Sequence, residues 1–158
     1  MSRLDTSYTS DQIYLVRRNG DGIVIESQPL VAPRQKRFPI DLEAEAWEHG
    51  RVAVLDGVVR GFIAWALASW NRRVTICHFY IDLPHRARGG GRALMDAAVE
   101  WARGAGALTV WIETSNVNHQ GIAAYRRLGF DICGFDTTLY RGTSAEDETA
   151  VYLARLLL

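Results

Sequence analysis

A charge of one sign is missing from this sequence. Eighteen Lys plus Arg balance eighteen Asp plus Glu across 158 residues, so the molecule as a whole sets up no field that would draw in nucleic acid or an anionic membrane. Partners have to be sought in local charge. Cysteine is nearly absent too: Cys77 and Cys133 make no CxxC pair and no metal-ligand spacing, which argues against a disulfide framework or a zinc motif and fits reduced thiols in a cytoplasm. No metal site is expected. No apolar run approaches the ~20 residues that span a bilayer, and the N-terminus has no hydrophobic signal core. A cytoplasmic protein with no membrane partner and no nucleic-acid partner is expected. Internal repeats and low-complexity tracts are absent as well.

Apolar residues, at 48%, suffice for a core, and the length matches one domain spanning 1–158. A polar arm, Met1 to Asp11, precedes I-Y-L-V-R-R, the turn N-G-D-G and I-V-I-E-S, which read as a hairpin. Residues 29–40 carry Pro29, Pro33 and Pro39 among Arg34, Lys36 and Arg37 and predict an extended, solvated connector. Asp41 to Glu48 is acidic and could form a short helix. V-A-V-L, Asp56-Gly57 and V-V-R-G-F-I-A-W-A-L form a second hairpin, followed by the strand V-T-I-C-H-F-Y-I. Leu94, Ala98, Trp101 and Ala105 mark the buried stripe of a helix stopped by Gly104 and Gly106. T-V-W-I-E is a strand, Asn118 to Leu128 a helix closed by Gly129, and strands at 130–140 and 149–158 complete the chain. The order is α+β, and the βαβ unit across Val74 to Ile112 makes two strands parallel.

Between the third predicted strand and the first helix lies I-D-L-P-H-R-A-R-G-G-G-R, Ile81 to Arg92. Gly89, Gly90 and Gly91 let backbone N–H groups converge on an anion at a helix N-terminus, where the macrodipole adds to the attraction. Arg86, Arg88 and Arg92 supply positive charge suited to several phosphates. Gly91 is followed by Arg92 and Ala93, which excludes a Walker loop, and the glycine spacing is not that of a dinucleotide fold.

The pattern Arg-x-x-Gly-x-Gly, filled by Arg86, Gly89 and Gly91, resembles the pyrophosphate motif of the GNAT family of acyl-CoA N-acyltransferases. Asn118, with Tyr125 seven residues later in A-A-Y-R-R-L-G-F, is similar to that family's second landmark. The resemblance extends along W-N-R-R-V-T, G-R-A-L-M, E-T-S-N-V-N and G-F-D-T-T-L-Y to the streptothricin (nourseothricin) acetyltransferase branch. It implies a GNAT-like fold, a mixed central sheet whose fourth and fifth strands splay apart, flanked by helices. It also implies acetyl-CoA as donor and a primary amine of a small molecule as acceptor, foremost a streptothricin-type antibiotic.

Carried onto this sequence, the resemblance assigns Arg86, Ala87, Arg88, Gly89, Gly90, Gly91 and Arg92 to the pyrophosphate. The backbone of Phe79, Tyr80 and Ile81 would pair with the pantetheine arm, Asn118 would contact its amides or cap the helix, and Tyr125 would serve as general acid at the sulfur. Cys77 and His78 stand where that branch carries adjacent acidic residues, so the base is open among His78, Glu113 and a water chain. Asp136 is a candidate for binding a substrate ammonium, or a turn residue. Rival functions are acetylation of a protein or peptide N-terminus or a polyamine, and a quiet acyl-CoA-binding module. Self-association into a homodimer is left open.

Overall fold

The computed structural model describes residues 4–43 and 46–157. They gather into two compact units, one of residues up to Ser7, 37–112 and 154 onward, the other of 8–36 and 113–153. No helix among the described residues is long and apolar enough to cross a membrane.

The first unit is built on an antiparallel meander. β3 (His49–Leu55) and β4 (Val58–Ala68) are joined by Asp56 and Gly57 at φ 50° and 73°, the doubly left-handed geometry of a hairpin turn matched to strand twist. Ahead of this meander in the chain run the strands β1 (Ser7–Asn19) and β2 (Gly22–Arg37). β4 pairs on its other side with β5 (Arg73–Ile81). Phe62, Ile63, Ala64 and Trp65 of β4 are buried, as a strand covered on both faces requires. The register shifts between Ala64, opposite His78, and Trp65, opposite Ile76, so Cys77 is the extra residue of a bulge. β5 then pairs in parallel with the start of β6 (Thr109–Ser115), Arg73–Ile76 against 109–112.

The crossover that makes this pair parallel is α1 (Gly90–Gly104), which buries Leu94, Met95, Ala98, Val99 and Ala102. Leu94 and Ala98 of the expected stripe are buried, but Trp101 is half-buried against His49, ring centroids 4.2 Å apart, and Ala105 is the exposed C-cap. Adjacent apolar pairs at i, i+1, i+4, i+5 and i+8 form a wider face than single residues do. Gly61 lets this helix and β5 come close, since a Cβ there would lie 2.7 Å from Ile81 Cδ1, 3.1 Å from Leu94 Cδ1 and 3.2 Å from the Tyr80 carbonyl oxygen. Of the acidic segment 41–48, Ala44 and Glu45 lie outside the described residues, and the described ones form no helix.

In the second unit β1 and β2 form a two-stranded ribbon around the Gly20-Asp21 turn. Two expectations change here. The polar arm enters β1 from Ser7, and the connector 29–40 is strand as far as Arg37, Pro29 and Pro33 included. A two-stranded ribbon consists of edges, where a missing N–H can face outward at no cost. The expected solvated basic cluster is an ion-pair network: Arg34 meets Asp147 at 3.1 Å and Glu148 at 3.2 Å, Lys36 meets Glu148, and Ser115 donates its hydroxyl to Glu148, whose carboxylate is buried. Arg37, in the first unit, pairs with Asp5 at 3.4 Å.

α2 (His119–Arg127) begins at Asn118 and is followed by Gly129 at φ 87°. β7 (Asp131–Asp136) and β8 (Ala150–Leu156) follow, β8 lying between β6 and β7. β7 stops short of the expected 140, because Asp136 Oδ1 accepts from the backbone N–H groups of Thr138 and Leu139 and from the Thr138 hydroxyl. That turn withdraws the next donors from any ladder.

Candidate active site

In the first unit the glycine loop is anchored before it opens. Asp82, buried at the end of β5, accepts from the Asp5 N–H at 2.9 Å and from Arg60 at 3.0 Å, with His85 Nδ1 at 3.2 Å. The Asp5 N–H, and then Arg60, hold its carboxyl below the usual carboxylate range. Leu83–His85 forms a single 3-10 turn, started by Pro84. Arg86 sends its guanidinium to three main-chain carbonyls, Ile81 at 3.0 Å, Ser7 at 2.7 Å and Asp5 at 3.4 Å. Its side chain is a brace for the loop, and the exposed positive charge at the mouth comes from Arg88 and Arg92.

Beyond the brace the backbone turns left-handed at Ala87, φ 59°, and at Gly89, φ 89°. A non-glycine residue there stores strain, a feature that concentrates at binding sites. Gly89 is the N-cap of α1, with no side-chain cap and no acidic residue in the first turn. The first N–H groups of the helix have no intrahelical acceptor. A Cβ at Gly89 or Gly90 would find nothing within 4 Å, whereas at Gly91 it would meet Phe79 and Ile81 side chains at 3.4 Å. The three glycines therefore differ in purpose: Gly89 and Gly90 border an open cradle of donors, and Gly91 allows α1 to sit on β5. A cradle of backbone donors at a helix N-terminus, flanked by two arginines, fits a pyrophosphate.

Phe79, Tyr80 and Ile81 stand opposite Ile63, Phe62 and Gly61 of β4. His78, beside them, is buried, with Phe62 and Tyr80 rings 6.2 Å and 6.0 Å away and the Tyr80 hydroxyl 3.5 Å from its Nδ1. Cys77 is half-buried.

The second unit holds the remaining candidates. Asn118 is buried and uses both ends of its amide, Oδ1 accepting from Gly121 N–H at 3.1 Å and Nδ2 donating to Thr114 Oγ1 at 2.9 Å. It caps α2. Tyr125 is buried on α2, its ring centroid 6.4 Å from that of Phe130, and its carbonyl accepts from the N–H groups of Leu128 and Phe130. Glu113, half-buried on β6, accepts a hydrogen bond from the Tyr140 hydroxyl. Burial first, and then the Glu113 charge, push the Tyr140 phenol well up. Asp136 is held below the usual carboxylate range, first by the Thr138 hydroxyl, and its Oδ1 is engaged in the turn. Among the described residues no group of three His, Cys, Asp or Glu side chains could hold a metal ion.

Sequence reasoning missed Asp82, Tyr140 and Glu148. Tyr140 closes the G-F-D-T-T-L-Y stretch, and Asp82 stands two residues before Pro84, so both lay inside segments already singled out. Glu148 left no local signal, because its partners Arg34, Lys36 and Ser115 are far away along the chain.

The profile of the acetyltransferase (GNAT) family matches residues 23–130. The chain belongs to that family. Membership makes it an acyl-CoA-dependent N-acetyltransferase with acetyl-CoA as donor. It is 40% identical to the streptothricin acetyltransferase of Streptomyces lavendulae over 96% of this chain and 85% of the relative. The crystal structure of a nourseothricin acetyltransferase superposes with a TM-score of 0.87 at 41% identity, covering 98% of this chain and 89% of the other. A putative streptothricin acetyltransferase from Bacillus anthracis str. Ames, solved with acetyl coenzyme A, shares the fold with a TM-score of 0.83 at 23% identity, covering 99% and 90% of the two chains.

Proposed function

We propose that this enzyme acetylates an amine of a streptothricin-type antibiotic in the cytoplasm. The observation that carries the reading is the likeness to the Streptomyces lavendulae enzyme along 96% of the chain, together with the cradle at Gly89 and Gly90.

Amine attack on a thioester needs a deprotonated amine, a polarised carbonyl and a protonated leaving thiolate. Bound acetyl-CoA supplies the activated acyl group. The N–H groups at the start of α1, with Arg88 and Arg92, hold its pyrophosphate, and the Asp82–Arg60 and Arg86 contacts keep that loop in shape. The edge of β5 at Phe79–Ile81 receives the pantetheine arm. Tyr125 donates a proton to the departing sulfur. Glu113 receives the amine proton: it is a half-buried carboxylate with a donor at one oxygen, whereas His78 is packed among Phe62 and Tyr80, a setting that favours a structural ring. Asp136 serves the turn through Oδ1 and also meets the Tyr152 hydroxyl, so a contact with a substrate ammonium is the lesser of its roles.

Incubation of the protein with acetyl-CoA and a panel of amines tests this. Release of CoA thiol with streptothricin, and weaker release with peptides bearing a free N-terminus or with simple polyamines, is expected. A preference for a peptide N-terminus would overturn the assignment of the acceptor.

A further inference from the structure

The Tyr140–Glu113 pair is a hydrogen-bonded acid–phenol contact that the resemblance did not supply. Tyr140 lies in the segment between β7 and β8, which is long and has no strand or helix of its own, yet is fastened at both ends. At its start Asp136 Oδ1 takes two N–H groups and a hydroxyl. At its finish Asp147 and Glu148 are held by Arg34 and Lys36, and Glu148 also by Ser115. Between the two, the Tyr140 carbonyl accepts from the Thr143 N–H at 3.1 Å and from the Thr143 hydroxyl at 2.7 Å. The backbone that carries the phenol is thus fixed next to the residue that points at Glu113.

We infer that Tyr140 is a positioning residue, which holds the Glu113 carboxylate oriented and ionised for proton removal from the acceptor amine. The inference rests on the reading of Glu113 as base. A phenol raised by burial remains a donor throughout the working pH range, so Glu113 always meets a hydrogen rather than a lone pair. A donor to a carboxylate favours its charged form and fixes the orientation of the group. The remaining titratable groups around the pair are Tyr152 of β8, Glu148 of the preceding segment and Asp136, which acts on Tyr152. The Tyr152 phenol, raised by burial, is neutral, and Glu148 is already paired with Arg34 and Lys36, whereas the Tyr140 hydroxyl donates directly to Glu113.

The test compares wild type, Tyr140→Phe, Glu113→Gln and the double variant, reading kcat/KM against pH with one acceptor so that the amine's own ionisation cancels. Phe keeps the ring and its packing. The acidic limb of Tyr140→Phe is expected to move up by about one pH unit, with a roughly tenfold loss at the acid end that is recovered at high pH, and with KM for acetyl-CoA unchanged. Glu113→Gln should lack the limb, and the double variant should match Glu113→Gln. An unmoved limb in Tyr140→Phe beside a crippled Glu113→Gln would overturn the positioning role while leaving the base in place. A double variant much slower than Glu113→Gln would give Tyr140 a separate task and overturn it too. Wild-type turnover by Glu113→Gln would remove the base, and this inference with it.

Discussion

Alanine placed in turn at Gly89, Gly90 and Gly91 should produce three different proteins, because the three backbones meet different surroundings. Gly90 is the cleanest perturbation. Its backbone is helical and a Cβ there has nothing within 4 Å, so Gly90→Ala should leave stability within about 0.5 kcal/mol of wild type. The methyl group would stand in the cradle and push a phosphate off at least one N–H donor, a charge-assisted bond worth about 1.5–3 kcal/mol. CoA affinity should fall roughly 10- to 100-fold. Gly89→Ala adds a second cost, since φ 89° is left-handed and an L-residue there loses about 1 kcal/mol or more of stability. Gly91→Ala should behave oppositely: its methyl group meets Phe79 and Ile81 in ordinary contact at 3.4 Å, stability should stay within about 0.5 kcal/mol because the site is in the first helical turn, and CoA affinity should change by less than about threefold. Calorimetric titration with CoA and urea denaturation of the three variants read both quantities. Wild-type CoA affinity in folded Gly90→Ala and Gly89→Ala would refute the cradle.

Other consequences follow from the charged and aromatic groups. Tyr125→Phe keeps the packing on α2 and removes the proposed proton donor, so steady-state kinetics should show kcat falling about 10²-fold with CoA affinity unchanged. Asp82→Asn should lose about 1.5–2 kcal/mol at neutral pH in chemical denaturation, at the lower end for a charge-assisted bond because Arg60 is partly exposed. The Asp82 carboxyl is depressed in the folded state, so this stabilisation is fully present above the unfolded value of ~3.9. It is lost as pH falls through the folded value, and the two proteins should converge at the acid end. A constant difference down to the lowest pH would show that the ion pair is not its source. Glu148→Gln leaves Arg34 and Lys36 facing a neutral amide at a buried position and should cost about 2–3 kcal/mol, read as a lower urea midpoint at unchanged slope.

What the sequence revealed was local chemistry. N-G-D-G and Asp56-Gly57 announced their hairpins, and Gly129 the end of α2, because left-handed φ is a property of single residues, while Asn118 announced the start of α2 through its capping side chain. The ribbon's length was hidden, because Pro29 and Pro33 end a strand only where a neighbour needs the missing N–H, and among the described residues β2 belongs to a two-stranded ribbon. Gly89 and Gly91 look alike in a motif. Only the packing of α1 on β5 separates a glycine that faces a ligand from one that faces Phe79. The three carbonyl partners of Arg86 were equally illegible, since a motif arginine next to glycines carries no local sign of them. Glu148 with Arg34 and Lys36, and Glu113 with Tyr140, are contacts between distant segments that no periodicity encodes.

The most direct measurement is the fate of both products when the protein is mixed with acetyl-CoA and streptothricin. Mass spectrometry of the antibiotic should show one added acetyl group on an amine, appearing in step with free CoA thiol, and Gly90→Ala should slow both together at limiting acetyl-CoA. A protein that binds CoA tightly yet leaves streptothricin unmodified would contradict the account.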